Sequence, residues 1–365
     1  MSNLTVALAI LGGLVLAVVV GYNAWMSRRN APRQPDAPNA DAPETAPPPL
    51  RREEEPVLHV TGHPVAGAER HEPLFDPDLP APSALPIPTA ERRGGLDPLI
   101  DVIAPITLDG LASGDAAIAA MPATRRAGSK PVAIEGLNEH TGEWEPAAPG
   151  QRYGAFQAGV QLANRTGALN EIEYSEFVVK AQAFADAING APEFPEMLDE
   201  VARARELDQF ASAHDAQLSF VLRALHAAWS PGYVQQNAAR LGFVAGIIPG
   251  RMVLPASELG LPPILGLSFD TQAALADDPA QSAIRELTLS LDVPQVDRGE
   301  RPFARMRETA ATLAREMDGV VTDSDGQLLR EETMDAIGAD LEQLYDTLDS
   351  RELSAGSPLA RRLFS

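Results

Sequence analysis

Residues 303–329 read FARMRETAATLAREMDGVVTDSDGQLL, and the fold is decided here. Phe303, Met306, Ala310, Leu313 and Met317 step by 3, 4, 3 and 4 residues, which puts all five on one stripe of a helix. Gly319-Val320-Val321 breaks that period and reads as a strand, and the residues after it as an acidic turn. Beyond the turn Met334, Ile337, Leu341, Leu344 and Leu348 repeat the helical stripe. Two striped helices separated by a strand predict a layer of helices on a sheet, because a free coiled coil would need more heptads.

The sheet is found by reading backward. LSFVLRAL (218–225), RMVLP (251–255), ILGLSF (264–269) and ELTLSLDV (286–293) are strand-like runs. Ser230-Pro231 supplies an N-cap followed by proline at the first helical position, so a short helix runs from there to Leu241. A similar series comes first in the chain: a strand at 99–108, a short helix at 114–121, strands at 131–137 and 153–163, and helices at 174–188 and 196–210. The two series share an order at offsets of roughly 110–140 residues, the mark of an internal repeat. No counterpart of 286–293 is visible in the first. Residues 96–214 are therefore either a degenerate second copy or an insertion. The expected class is α+β, an antiparallel sheet with its helices on one face, duplicated if the first series is a true copy.

The chain opens MSNLTVALAILGGLVLAVVVGYNAWMSRRN. Leu4 to Trp25 would make about 33 Å of helix against a hydrocarbon core of about 30 Å. A signal peptide would have a shorter apolar core behind a basic start. The reading is an uncleaved anchor over 1–27. Arg28 and Arg29 hold its following flank in the cytoplasm, with Tyr22 and Trp25 at the headgroups. This predicts a single-pass protein of the bacterial inner membrane, its N-terminus periplasmic and its C-terminal part cytoplasmic.

Residues 28–95 hold about half of the 32 prolines and no apolar period, which predicts a disordered linker. His59, His63 and His71 fall inside it, and Pro56, Gly62 and Pro64 oppose the helix that a metal-binding pair at 59 and 63 would need. The formal charge of −22 repels phosphate backbones, so nucleic acid is not an expected partner. With no cysteine, disulfides, thiolate metal sites and thiol nucleophiles are excluded.

No phosphate loop, GxSxG elbow or HExxH pair occurs. VTDSDGQLLREE (321–332) places Asp323, Asp325, Gly326 and Glu332 where a calcium loop would, but Val321 stands at the first ligand position, so it reads as a polar turn. No enzyme, cofactor or metal is expected.

AARLGF (238–243) closing a short helix, LTLSLDVP (287–294) preceding a long one, and the run 303–329 resemble the ZipA family, membrane tethers of the bacterial division protein FtsZ. The resemblance lies in residues 215–350, with 351–365 left as a tail, and the order of anchor, Pro-rich linker and α+β domain is similar too. It implies a scaffold that holds FtsZ filaments at the membrane by binding the FtsZ C-terminal tail on the helix-free face of the sheet. By alternation that face shows Gly266, Ser268, Thr288 and Ser290, with Val221, Leu225 and Met252 as its apolar contributors. Leu265, Leu267, Phe269, Leu287, Leu289, Leu291 and Val293 face the helices. The alternative is a membrane-attached envelope protein, a binding module or hydrolase with another partner.

Overall fold

The computed structural model describes residues 33–34, 95–275 and 282–365. The expected anchor, the linker histidines and nearly all of the linker lie outside them. No helix among the described residues is long and apolar enough to cross a membrane.

The first half runs β1 (Asp101–Ser113), α1 (Gly114–Ala120), β2 (Arg126–Ala127), β3 (Lys130–Asn138), β4 (Trp144–Glu145), β5 (Arg152–Gln161), β6 (Ala163–Asn164), β7 (Gly167–Ala168), α2 (Glu171–Ala187), β8 (Gly190–Pro192) and α3 (Met197–His214). The second half runs β9 (Gln217–Ala224), α4 (Pro231–Arg240), β10 (Val244–Ala245), β11 (Arg251–Leu254), β12 (Leu265–Ser268), α5 (Thr271–Leu275), β13 (Glu286–Asp292), α6 (Pro302–Met317), β14 (Gly319–Thr322) and α7 (Glu331–Ser350). A last short helix, α8, spans Pro358–Leu363.

The main sheets have the orders β2-β3-β5-β1-β8 and β10-β11-β12-β13-β9-β14, and their paired strands are antiparallel. Aligning β1 with β9, β2 with β11, β3 with β12, β5 with β13 and β8 with β14 superposes both the sheet order and the chain order. The helices fall in the same places: α1 with α4, α2 with α6, α3 with α7. The halves trace one path twice. The strand that looked missing from the first half is present: β5 is the counterpart of β13. What has nearly vanished is β2, two residues long where β11 has four, and β8 is too short to announce itself in sequence.

Local chemistry fixes the element ends. Asn170 caps α2 by accepting from the Ile172 and Glu173 N–H groups, while the Glu173 side chain accepts from the Asn170 N–H, a reciprocal capping box. Ser230 Oγ accepts from Tyr233 N–H with Pro231 in the first turn. Asp318 ends α6 in the left-handed region at φ 55°, which turns the chain sharply into β14.

Two cores follow from the two sheets. Val102, Ala104, Ile106, Phe156, Ala158 and Val160 meet Phe177, Ala181 and Phe184 of α2. In the second half Phe220, Leu222, Leu287, Leu289 and Leu291 meet Met306, Ala310, Leu313 and Met317 of α6. Phe303 closes the stripe edge-on to Phe220, with ring centres 6.2 Å apart. On α7, Leu341 and Leu348 are buried, with Met334, Ile337 and Leu344 half-buried against the same core.

The residues read as a tail are built into this second core. Leu353, Ala355, Leu363 and Phe364 are buried within it. From α8, Arg362 reaches the first half, where its guanidinium lies 2.5 Å from the buried Asp101 carboxylate. Gln161 Nε2 donates to the Arg362 carbonyl at 2.7 Å. Arg165 forks across the same seam to Asp215 and Asp292.

Candidate functional site

The helix-free face of the second sheet is set by strand register. β13 and β9 pair Thr288 with Val221, Ser290 with Ser219 and Glu286 with Arg223. β12 adds Ser268 beside Thr288 and Gly266 beside Ser290. Their alternate neighbours Leu287, Leu289, Leu291 and Leu267 are buried under the helices, so these polar and small residues share the opposite face. Val221, Gly266, Ser268 and Thr288 are half-buried and Ser290 is exposed. Leu225, just past the end of β9, is 57% exposed.

Met252 does not belong with them. It pairs with Leu267 and is 5% exposed within the helix-side core. The register places its neighbours on the open face instead, Arg251 beside Ser268 and Val253 beside Gly266, and β10 adds Val244 beside Val253. The signal for this phase is the Pro249-Gly250 turn. Gly250 has φ +78°, and a Cβ there would come within 2.8 Å of the Phe269 carbonyl oxygen. The Phe269 N–H donates to the Gly250 carbonyl at 2.9 Å. Counting from that fixed pair, Met252 falls opposite Leu267.

A Cβ at Gly266 would meet Ser290 Oγ at 2.7 Å, so a larger residue there would push the Ser290 side chain aside. The Ser290 hydroxyl donates to the Gly266 carbonyl, which keeps this part of the floor low. At the β14 side the face is closed. Thr322 pairs with Val221 and is buried, and the following turn folds back so that Leu328 bridges Thr322.

That turn contains Asp323, Asp325 and Gly326 of the calcium-like run, while Glu332 lies in the first turn of α7. Asp323 Oδ1 accepts from the Gln327 N–H at 2.8 Å, and Gly326 N–H donates to the Asp323 carbonyl at 3.2 Å. Its geometry is that of a hairpin turn leaving β14. Among the described residues no group of three His, Asp or Glu side chains could hold a metal ion.

Arg223 borders the floor at this end. Its Nε lies 3.6 Å from Glu286 Oε2, beyond hydrogen-bond range, and is buried without a hydrogen-bond partner among the described residues. The arrangement is a shallow trough. Its floor is Val221, Thr288, Ser290, Ser268, Gly266 and Val253, with Arg223 and Leu225 at one end and Arg251 and Val244 at the other. Such a surface can take a short extended peptide through apolar contacts, with arginine at either end for polar ones. Its hydroxyls, on Thr288, Ser268 and Ser290, have no histidine among the trough residues to activate them.

A separate cavity of about 530 Å³ lies between β3 of the first half and α8. Ile118, Met121, Pro122, Ala133 and Arg361 are among its lining residues.

Residues 275–340 match the family model for the C-terminal FtsZ-binding domain of ZipA. No curated protein matches the chain. The match spans β13, α6, β14 and the first half of α7, and it includes Thr288 and Ser290 of the trough. Over these residues the resemblance to the ZipA family holds.

Proposed function

We propose that this protein is a membrane-anchored cell-division scaffold that tethers FtsZ filaments to the cytoplasmic face of the inner membrane. The FtsZ C-terminal tail lies in the trough of the second sheet, over Val221, Ser268, Gly266, Thr288, Ser290 and Val253, with Leu225 at its rim. The match of residues 275–340 to an FtsZ-binding domain is the observation that carries this reading. The trough supports it in chemistry, since a helix-free sheet face with valines on its floor suits peptide capture rather than catalysis.

The membrane half of the proposal rests on the apolar run Leu4–Trp25 and the arginines behind it. A reporter active only in the cytoplasm, fused after Ser365, is expected to be active. An active periplasmic reporter with a silent cytoplasmic one would overturn both the topology and the FtsZ reading.

A further inference from the structure

Arg33 belongs by sequence to the linker, yet it sits on the folded head. Its N–H donates to the Ala228 carbonyl at 2.7 Å, and its own carbonyl accepts from the Ser230 N–H at 2.9 Å. These bonds make a parallel bridge to Trp229, which is bridged on its other side, antiparallel, to Ile284. Trp229 is thus the middle of a three-strand patch, one residue wide.

The side chain is held as well. Arg33 Nη2 lies 2.8 Å from Asp318 Oδ2, and the same carboxylate oxygen is 3.0 Å from His226 Nδ1. The socket is built rather than incidental. Trp229 and Ser230 are fully buried and Ala228 nearly so, and Trp229 Nε1 donates to the Met317 carbonyl at 2.7 Å. The segment Ala-Pro-Arg-Gln-Pro (31–35) also suits it. Pro35 biases Gln34 toward extended backbone and removes a donor just past the bridge.

We propose that Ala228, Trp229, Ser230 and Asp318 form a docking site for the chain's own residues 33–34, and that docking sets the length of the tether. This rests on the anchor reading of residues 1–27. Docked, only residues 26–32 separate the apolar run from the head, at most about 25 Å of chain. Released, the separation is the whole linker, averaging roughly 45 Å as a flexible chain and approaching about 200 Å if extended. The hold is reversible by its composition. A half-exposed ion pair is weak and screened by salt, the backbone bonds exchange with water, and docking must close the loop formed by residues 35–94.

The test uses the full chain in lipid vesicles. Because it has no cysteine, spin labels at Ser27→Cys and Glu316→Cys report one distance. A component within about 35 Å is expected, lost in Arg33→Glu, restored when Asp318→Arg is added, and diminished by high salt. Ser230 amide exchange should accelerate in Arg33→Glu and slow again in the double variant. The same distance distribution and Ser230 exchange in wild type and Arg33→Glu would overturn the docking. Vesicle flotation separates the premises: a chain that fails to float but keeps the short component retains the docking and loses only the anchor.

Discussion

Met252 stands directly opposite Leu267 in the β11–β12 ladder, and both side chains are buried beneath the helices. Val253, one residue on, is therefore the apolar side chain that β11 offers to the trough. The pair separates a structural position from a binding position on adjacent residues.

Met252→Ala should cost about 2–5 kcal/mol of stability by leaving a cavity in the core, while the folded fraction still binds the FtsZ tail normally. Val253→Asp should leave the melting temperature nearly unchanged and weaken tail binding roughly 30-fold, the loss of one anchor of about 2 kcal/mol. Chemical denaturation and titration calorimetry read the two effects separately. Equal binding by wild type and Val253→Asp would remove β11 from the trough.

Leu289→Asp places a carboxylate between β13 and α6 and should unfold the second half, since a buried unpaired charge costs several kcal/mol or more. Ser268→Arg adds bulk to the open face and should lower tail affinity with the circular dichroism spectrum unchanged. A folded Leu289→Asp would contradict the assignment of faces.

Asp101 is buried, and burial raises its pKa while the Arg362 guanidinium opposes the rise. Arg362→Met removes the opposing charge and should cost about 3 kcal/mol near neutral pH. The folded-state pKa of Asp101 then moves further above its unfolded value. The native state takes up a proton that the unfolded chain does not, so the deficit is full above that raised pKa and shrinks as pH falls through it. Stability of the variant measured against pH should show this recovery. A deficit independent of pH would mean that α8 packing, rather than the charge pair, carries the effect.

The Tyr345 hydroxyl is buried with no hydrogen-bond partner among the described residues, and desolvation pushes its pKa up to about 12. Because the folded-state pKa exceeds the unfolded value, the unfolded chain ionises first above about pH 10, and stability falls further as pH rises toward 12. Tyr345→Phe should raise stability by about 1 kcal/mol at neutral pH and flatten that alkaline loss. A destabilised Tyr345→Phe would reveal a partner for the hydroxyl.

Much of the fold was legible because the strongly periodic segments obey their stripes. Every member of the Phe303–Met317 stripe is buried, and the Ser230-Pro231 start of α4 is where its capping chemistry places it. Four features escaped. β8 is three residues containing a glycine and a proline, Gly190–Pro192, with no length over which alternation can be seen. Helix α8 is short and polar at Arg361 and Arg362, and its importance comes from contacts with Asp101 and Gln161 far away in sequence. The phase of β11 was misread because Arg251, Met252, Val253 and Leu254 offer no strict alternation; the turn at Gly250, rather than hydrophobicity, sets it. Arg33 had no local signal, since a one-residue bridge depends on the socket at Trp229 and Asp318.

The central claim is tested most directly by the affinity of the full chain, reconstituted in nanodiscs, for FtsZ with and without its C-terminal tail. Tight binding to intact FtsZ, loss of binding on removal of the tail, and weakening by Val253→Asp and Ser268→Arg are the results this account predicts. Equal binding to FtsZ with and without its tail, or no binding to either, would contradict it.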